Sequence, residues 1–268
     1  MNEAIQKIKH SLPSVALITA GASGIGCAIA QRFLQNGYKV HVCDIDQVAM
    51  DRFLEENPSA TATLADVANP GQVDSLFAEL EEHYGRLDIL VNNAGIAGPT
   101  ARVEDIDPVD WDRTIAVGLN GAFYVTRRAI PLLKQAGGGS VINMASSAAF
   151  FGCPLRSPYV AAKWALIGFT KTLAMELGPL GIRVNAICPG SVSGPRIEGV
   201  IERDAKQRGI TTQEVRDSWT RQTSLRSFVS ADAVAATVAF LVSPDGAMIS
   251  GQALGIDGHT ESLSSPLD

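Results

Sequence analysis

Cysteine and histidine are scarce, four of each in 268 residues, and neither is spaced for chemistry. Cys27, Cys43, Cys153 and Cys188 form no C-x-x-C pair, which points away from a disulfide framework or a redox dithiol. His10, His41, His83 and His259 have no ligand spacing, so no catalytic metal is expected. Positive charge is also short: 22 Lys and Arg against 28 Asp and Glu leave a net −6, which argues against nucleic acid or an anionic membrane as main partner. No apolar run reaches the ~18 residues of a membrane span, and the first 14 residues lack the apolar core of a secretion signal. A cytoplasmic location is therefore expected. No repeat, low-complexity tract or Pro/Ser linker divides the chain.

What is present is alternation. Short β-branched runs (Val15–Thr19, Lys39–Cys43, Thr61–Ala65, Asp88–Asn92, Ser140–Met144, Ile182–Ile187, Ala253–Ile256) are separated by longer helical patterns, notably 108–135, 158–177 and 231–242. Strands that are apolar almost throughout, alternating with helices, imply a parallel sheet covered on both faces, hence a doubly wound α/β domain. Right-handed crossovers then put ligands at the carboxyl ends of the strands. We expect one catalytic domain over 13–268, preceded by an extension over 1–12. The polar, Arg-rich segment 192–228 breaks the rhythm and reads as a variable insertion on the substrate side.

The chemistry-bearing residues fall where strands end. Thr19-Ala20-Gly21-Ala22-Ser23-Gly24-Ile25-Gly26 joins the first strand to the first helix. Such a turn lets backbone approach a pyrophosphate, and the helix-start N–H groups favour its charge. Asp44 ends the second strand, 18 residues after Gly26, where a carboxylate accepts hydrogen bonds from an adenosine ribose. Asn92-Asn93-Ala94-Gly95 ends the fourth strand; Asn there can lock a loop or bind a ribose, though Asn and Gly are also ordinary turn residues. Tyr159 and Lys163, four apart near a helix start, share one face. That pattern also suits the wet side of an amphipathic helix, but an ammonium beside a phenol favours phenolate, a usable proton acceptor. Ser146 ends the preceding strand and points to the same crevice.

In this order, TAGASGIG, Asp44, Asp66-Val67, NNAG, Ser146, Tyr159-Val-Ala-Ala-Lys163 and Pro189-Gly190, the chain resembles the short-chain dehydrogenase/reductase family from about residue 13 to 258. The resemblance implies a seven-stranded Rossmann-type sheet, a Ser146–Tyr159–Lys163 centre, and a homotetramer. It implies a nicotinamide cofactor held by Ala20, Ser23, Gly24, Ile25, Gly26, Asp44, Asp66, Val67, Asn93, Tyr159, Lys163, Pro189, Gly190 and Val192. Ser146 would orient the substrate oxygen, Tyr159 would act as acid/base, and Lys163 would bind the nicotinamide ribose. The expected activity interconverts a secondary alcohol and a ketone, with reduction of 3-oxoacyl thioesters and a non-catalytic dinucleotide-binding regulator as alternatives. NAD is expected over NADP, because Asp44 repels a 2′-phosphate and no Lys or Arg lies between Gly21 and Ala30 or directly after Asp44. Arg156, three residues before Tyr159, and the arginines from Arg196 onward suggest a polar or anionic substrate. The plainer alternative pairs the insertion's arginines with Glu198, Glu202, Asp204, Glu214 and Asp217.

Three positions depart from the family pattern. Ala20 replaces the first glycine of the loop, acceptable if its φ is negative. Gly194 replaces a threonine, for which Ser191 or Ser193 would substitute. Gly118 replaces an asparagine that steadies a water near Lys163; the Gly118 carbonyl is expected to hold that water, glycine to leave room for a second, and Gly118→Asn to be tolerated.

Overall fold

Val15–Thr19 (β1) is buried along its whole length because both of its faces meet helices. Val15 and Leu17 pack into one apolar cluster, Ala16 and Ile18 into the other, which is why the strand carries no polar alternation. The computed structural model describes residues 13–260; the expected extension over 1–12 lies outside them. In chain order the main elements are β1, α1 (Gly24–Gln35), β2 (Lys39–Asp44), α2 (Gln47–Glu56), β3 (Thr61–Leu64), α3 (Pro70–Tyr84) and β4 (Ile89–Asn92). There follow α4 (Pro108–Ile115), α5 (Gly121–Ala136), β5 (Gly139–Met144), α6 (Ser157–Leu177) and β6 (Ile182–Pro189). The chain then runs through α7 (Pro195–Arg208), α8 (Thr212–Arg221), α9 (Ala231–Val242) and β7 (Ala253–Ile256). All strand pairs are parallel, in the order β3-β2-β1-β4-β5-β6-β7. The order reverses between β1 and β4, so a crevice opens beyond their carboxyl ends.

Local chemistry sets the boundaries. Asn69 caps α3 by accepting from the Gly71 and Gln72 amides, with Pro70 in the first turn, and the left-handed Gly85 ends the helix. The helix α2 was not among the expected elements: of its residues only Met50 and Phe53 are buried, too little apolar surface to give a clear period. The helix expected over 108–135 is continuous but not uniform, since Ala116–Asn120 forms a π-helical turn between α4 and α5. The insertion 192–228 is built on α7 and α8, which bury a small apolar cluster of their own around Ile201, Ala205 and Val215.

On the outer side of the sheet His41 is fully buried, its ring nitrogens bonded to Thr61 Oγ1 at 2.7 Å and Thr63 Oγ1 at 3.0 Å. The Thr61 hydroxyl also lies 3.0 Å from the Tyr84 hydroxyl, and Thr63 donates to Glu79 Oε2 at 2.5 Å. Burial, aided by the nearby His83, pushes the His41 imidazole down to about 4. Between pH 4 and 6.5 the unfolded chain then carries a proton that the folded chain refuses, so stability falls as pH is lowered through that interval. Urea unfolding should show a loss attributable to His41 of roughly 3 kcal/mol across it. His41→Gln should flatten that part of the profile relative to wild type.

Candidate active site

Beyond the carboxyl ends of β1 and β4 lies a cavity of about 670 Å³. Its rim is fixed by Thr19, the last residue of β1. The Thr19 hydroxyl accepts from the Asn93 and Ala94 amides at 3.0 and 2.9 Å, and Asn93 Nδ2 donates to the Thr19 and Ala20 carbonyls at 3.0 Å. The NNAG turn and the Gly-rich turn are thereby tied to each other. Gly26 does not line the cavity; it lies beneath the turn, where an added Cβ would stand 2.1 Å from the Ala20 carbonyl oxygen and 2.6 Å from Asn93 Nδ2. Its lack of a side chain serves the closeness of the turn rather than a ligand.

Ala20 adopts a φ of +49°, contrary to the negative value expected for a non-glycine residue there. The two hydrogen bonds from Asn93 Nδ2 to consecutive carbonyls hold the chain in this left-handed conformation despite its cost of about 1 kcal/mol.

The other expected residues surround the cavity. Ser23, Gly24 and Ile25 bring the uncapped amino end of α1 to its wall, with no acidic side chain in the first turn. Asp44 accepts from the Ala22 amide at 3.2 Å through one oxygen and from Ile45 and Asp46 at 2.8 and 3.3 Å through the other. Asp66 and Val67 line the wall after β3, and Asp66 Oδ2 pairs with Arg113 at 2.9 Å, a partner the sequence reading missed. Pro189 ends β6 and Gly190, Ser191, Val192 and Ser193 follow it, all lining the cavity. Gly194 opens α7 without a side-chain cap.

Ser146, Tyr159 and Lys163 all line the cavity. Ser146 follows β5, and its Oγ accepts from the Ala148 amide at 3.2 Å. Lys163 is buried on α6 and donates from Nζ to the Met144 carbonyl at 2.6 Å, a contact without a sequence signal because it uses backbone. Its Nζ lies 5.8 Å from the Tyr159 ring centre. Burial, with the Arg196 charge, pushes the Lys163 ammonium down to about 7, against a weaker upward pull from Cys188. The Cys188 thiol is itself pushed up to about 12 by burial, which leaves it an inert neighbour.

Gly118 lies in the π turn, buried against α6. An added Cβ would stand 3.2 Å from the Ala162 Cβ, so the room expected beside Gly118 is occupied by Ala162. Among the described residues no group of three or more His, Cys, Asp or Glu side chains comes together as metal ligands.

A family model described as enoyl-(acyl carrier protein) reductase matches residues 19–259. The chain belongs to the short-chain dehydrogenase/reductase family. It is 34% identical over 254 residues to D-beta-hydroxybutyrate dehydrogenase of Rhizobium meliloti (strain 1021), covering 92% of this chain and 98% of that one. Among solved structures, an actinorhodin polyketide ketoreductase variant with NADPH matches with a TM-score of 0.89 at 33% identity, over 93% of this chain and 97% of that one. NAD+-bound xylitol dehydrogenase matches with a TM-score of 0.86 at 28% identity, over 91% and 97%. The protein is thus an NAD(P)-dependent oxidoreductase of hydroxyl and keto groups. No helix of the described residues is long and apolar enough to cross a membrane.

Replacing Ala20 by glycine relieves the left-handed strain without removing a hydrogen bond. Ala20→Gly should raise the melting temperature by about 2–4 °C, equivalent to up to about 1 kcal/mol. An unchanged or lowered melting temperature in thermal unfolding contradicts the strain assigned to Ala20.

Proposed function

We propose that the protein interconverts a polar secondary alcohol and its ketone by hydride transfer, with NAD(H) preferred. The observation that carries this reading is that Tyr159, Lys163 and Ser146 line one cavity together with the uncapped amino end of α1. The donor set fits a dinucleotide. Free amides at the start of α1 suit a diphosphate, the Asp44 carboxylate suits a ribose hydroxyl, and the wall at Asp66 and Val67 suits the flat face of an adenine. When bound, the cofactor supplies the carbon that accepts or gives the hydride.

The chain's own residues do the rest. The Ser146 hydroxyl orients the substrate oxygen, and Tyr159 takes the alcohol's proton in oxidation or returns it in reduction. Lys163, fixed by the Met144 carbonyl, holds positive charge beneath the phenol, where it favours phenolate over phenol. The low dielectric of the buried site strengthens that attraction.

Reduction of a 3-oxoacyl thioester is a second reading. The names of two matched proteins, a β-hydroxybutyrate dehydrogenase and a polyketide ketoreductase, favour an oxygen carried on an acyl chain. Turnover of a screen of secondary alcohols, polyols, hydroxy acids and oxoacyl thioesters, followed at the reduced-nicotinamide absorbance, decides between the two. Tight dinucleotide binding with no turnover of any member contradicts both.

The carboxylate of Asp44 accepts from a ribose hydroxyl and repels a phosphate, and the next residue is Ile45. Wild type should therefore show a higher kcat/KM with NAD than with NADP, and Asp44→Ala should narrow the ratio by about tenfold or more. A wild type that uses NADP as well as NAD contradicts the preference.

We further propose a homo-oligomer, a tetramer by family analogy. Phe123 on α5 and Trp164 on α6 are 48% and 50% exposed, while Val125, Leu133 and Leu166 on the same helices are buried against the sheet. Apolar residues on a second face of both long helices need cover. Light scattering at micromolar concentration should give a multiple of the monomer mass, and Phe123→Glu with Trp164→Glu should reduce it. A wild-type monomer contradicts the proposal.

A further inference from the structure

Tyr159 is flanked by more positive charge than proton transfer requires. We propose that Arg156, with Arg196 as a second charge, forms a subsite for a carboxylate carried by the substrate, so that the protein acts on hydroxy or oxo acids whose acid group lies a short chain from the reacting carbon. The proposal deepens the oxidoreductase reading above and rests on it.

Four observations converge. The Arg156 guanidinium lies over the Tyr159 ring, 4.9 Å from its centre, and lines the same cavity. Only one of its donors is used within the chain, Nη2 to the Ala97 carbonyl at 2.8 Å, while Nε is buried without a hydrogen-bond partner. No carboxylate pairs with it among the described ion pairs. The three acids that line the cavity are engaged elsewhere: Asp204 by Arg208 at 3.3 Å, Asp66 by Arg113 at 2.9 Å, and Asp44 by the Ala22 and Ile45 amides. A half-buried guanidinium with a buried, unpartnered Nε is costly, and a planar, two-oxygen anion is the partner that its fork of donors fits best.

The surrounding chain is built to hold that side chain in place. Leu155, directly before it, is left-handed at a φ of +63°. The Leu155 carbonyl accepts from the Ala101 amide at 3.0 Å, and the neighbouring hydroxyls of Thr100 and Ser157 are buried without partners. Strain and unpaired polar atoms concentrated at one turn mark a site organised for a ligand rather than for stability. Arg196, exposed at the start of α7 and lining the same cavity, adds its charge, which lowers the ionisation of both Arg156 and Lys163. Two of the insertion's other arginines behave differently: Arg208 and Arg216 pair with Asp204 and Glu198, as the plainer alternative expects.

The test compares oxo carboxylates of increasing chain length with their methyl esters, and with the matching sulfonates, in wild type, Arg156→Gln and Arg156→Lys. Wild type should prefer carboxylate over ester in kcat/KM. Arg156→Gln should lower that ratio at least tenfold, chiefly through KM, and Arg156→Lys should restore part of it. A sulfonate preferred over the carboxylate, or equal losses on acid and ester, overturns the assignment; equal losses make Arg156 a positioning residue for Tyr159. A binding arm needs no turnover: butanoate and butanamide titrated calorimetrically into the NADH complex of each variant. Butanoate should bind more tightly to wild type and lose that advantage in Arg156→Gln. If the advantage persists in the variant or is absent from wild type, the subsite is overturned, whereas absence of all turnover with the binding difference intact counts only against the oxidoreductase reading.

Discussion

An ammonium group buried without a carboxylate is the constraint around which the crevice is arranged. Lys163 reaches its place through α6, and the described structure gives it one hydrogen bond, to the Met144 carbonyl. Burying such a charge is expensive unless something offsets it, which is why its ionisation is driven down to about 7. The usual remedy, an Asp or Glu at contact distance, would cancel the field that makes the phenol of Tyr159 useful. Backbone carbonyl is the milder choice: it accepts the hydrogen bond and leaves the charge uncompensated. Arg156 over the tyrosine ring and the exposed Arg196 on α7 line the same cavity. A chain of net charge −6 thus brings three cations to one cavity without a carboxylate paired to any of them among the described ion pairs.

The backbone shows where the fold resists this arrangement. Ala20 and Leu155 are both left-handed without being glycine, and both lie at turns facing the cavity. Neither could hold that conformation alone. Ala20 is clamped through its carbonyl by Asn93, and Leu155 by the Ala101 amide. These clamps join segments far apart in sequence, so the strain is maintained by tertiary structure and not by local preference. A buried chain of side-chain bonds supports them from below: Asn92 Nδ2 donates to Thr126 and Asn143, and Asn143 Nδ2 to Thr170, linking β4, α5, β5 and α6. Polar residues this deep fix the relative depth of strands and helices more sharply than apolar packing does.

Most of the sheet was legible from the sequence because each central strand is apolar on both faces, a pattern that does not depend on neighbours. The carboxyl-edge motifs were legible for a related reason. Residues such as Asp44, Asn93 and Tyr159 are chemically specific and stand at strand ends or helix starts, which the apolar runs mark out. What escaped reading depends on three-dimensional closeness. The Met144 carbonyl has no side-chain signal, and the Asp66–Arg113 pair joins the loop after β3 to α4 with nothing in sequence to connect them. The short helix α2 escaped because Asp46 caps it while only Met50 and Phe53 anchor it. The sign of φ at Ala20 escaped because composition favours the opposite value, and only the Asn93 clamp reverses it.

Gly118 shows how a departure from a family pattern can be absorbed. A side-chain amide is missing, and a polar group near Lys163 is lost with it. The missing Cβ also permits the close approach of the π turn to Ala162, the residue directly before Lys163. An asparagine would have to push α6 away by a few tenths of an ångström or turn the helix, and either motion would be transmitted to the ammonium one residue on. The π turn itself widens the helix and disturbs its regular carbonyl pairing, a feature that recurs at functional sites. Glycine at 118 lets the π turn close on α6 one residue before Lys163, so a bulkier side chain there would be felt at the ammonium.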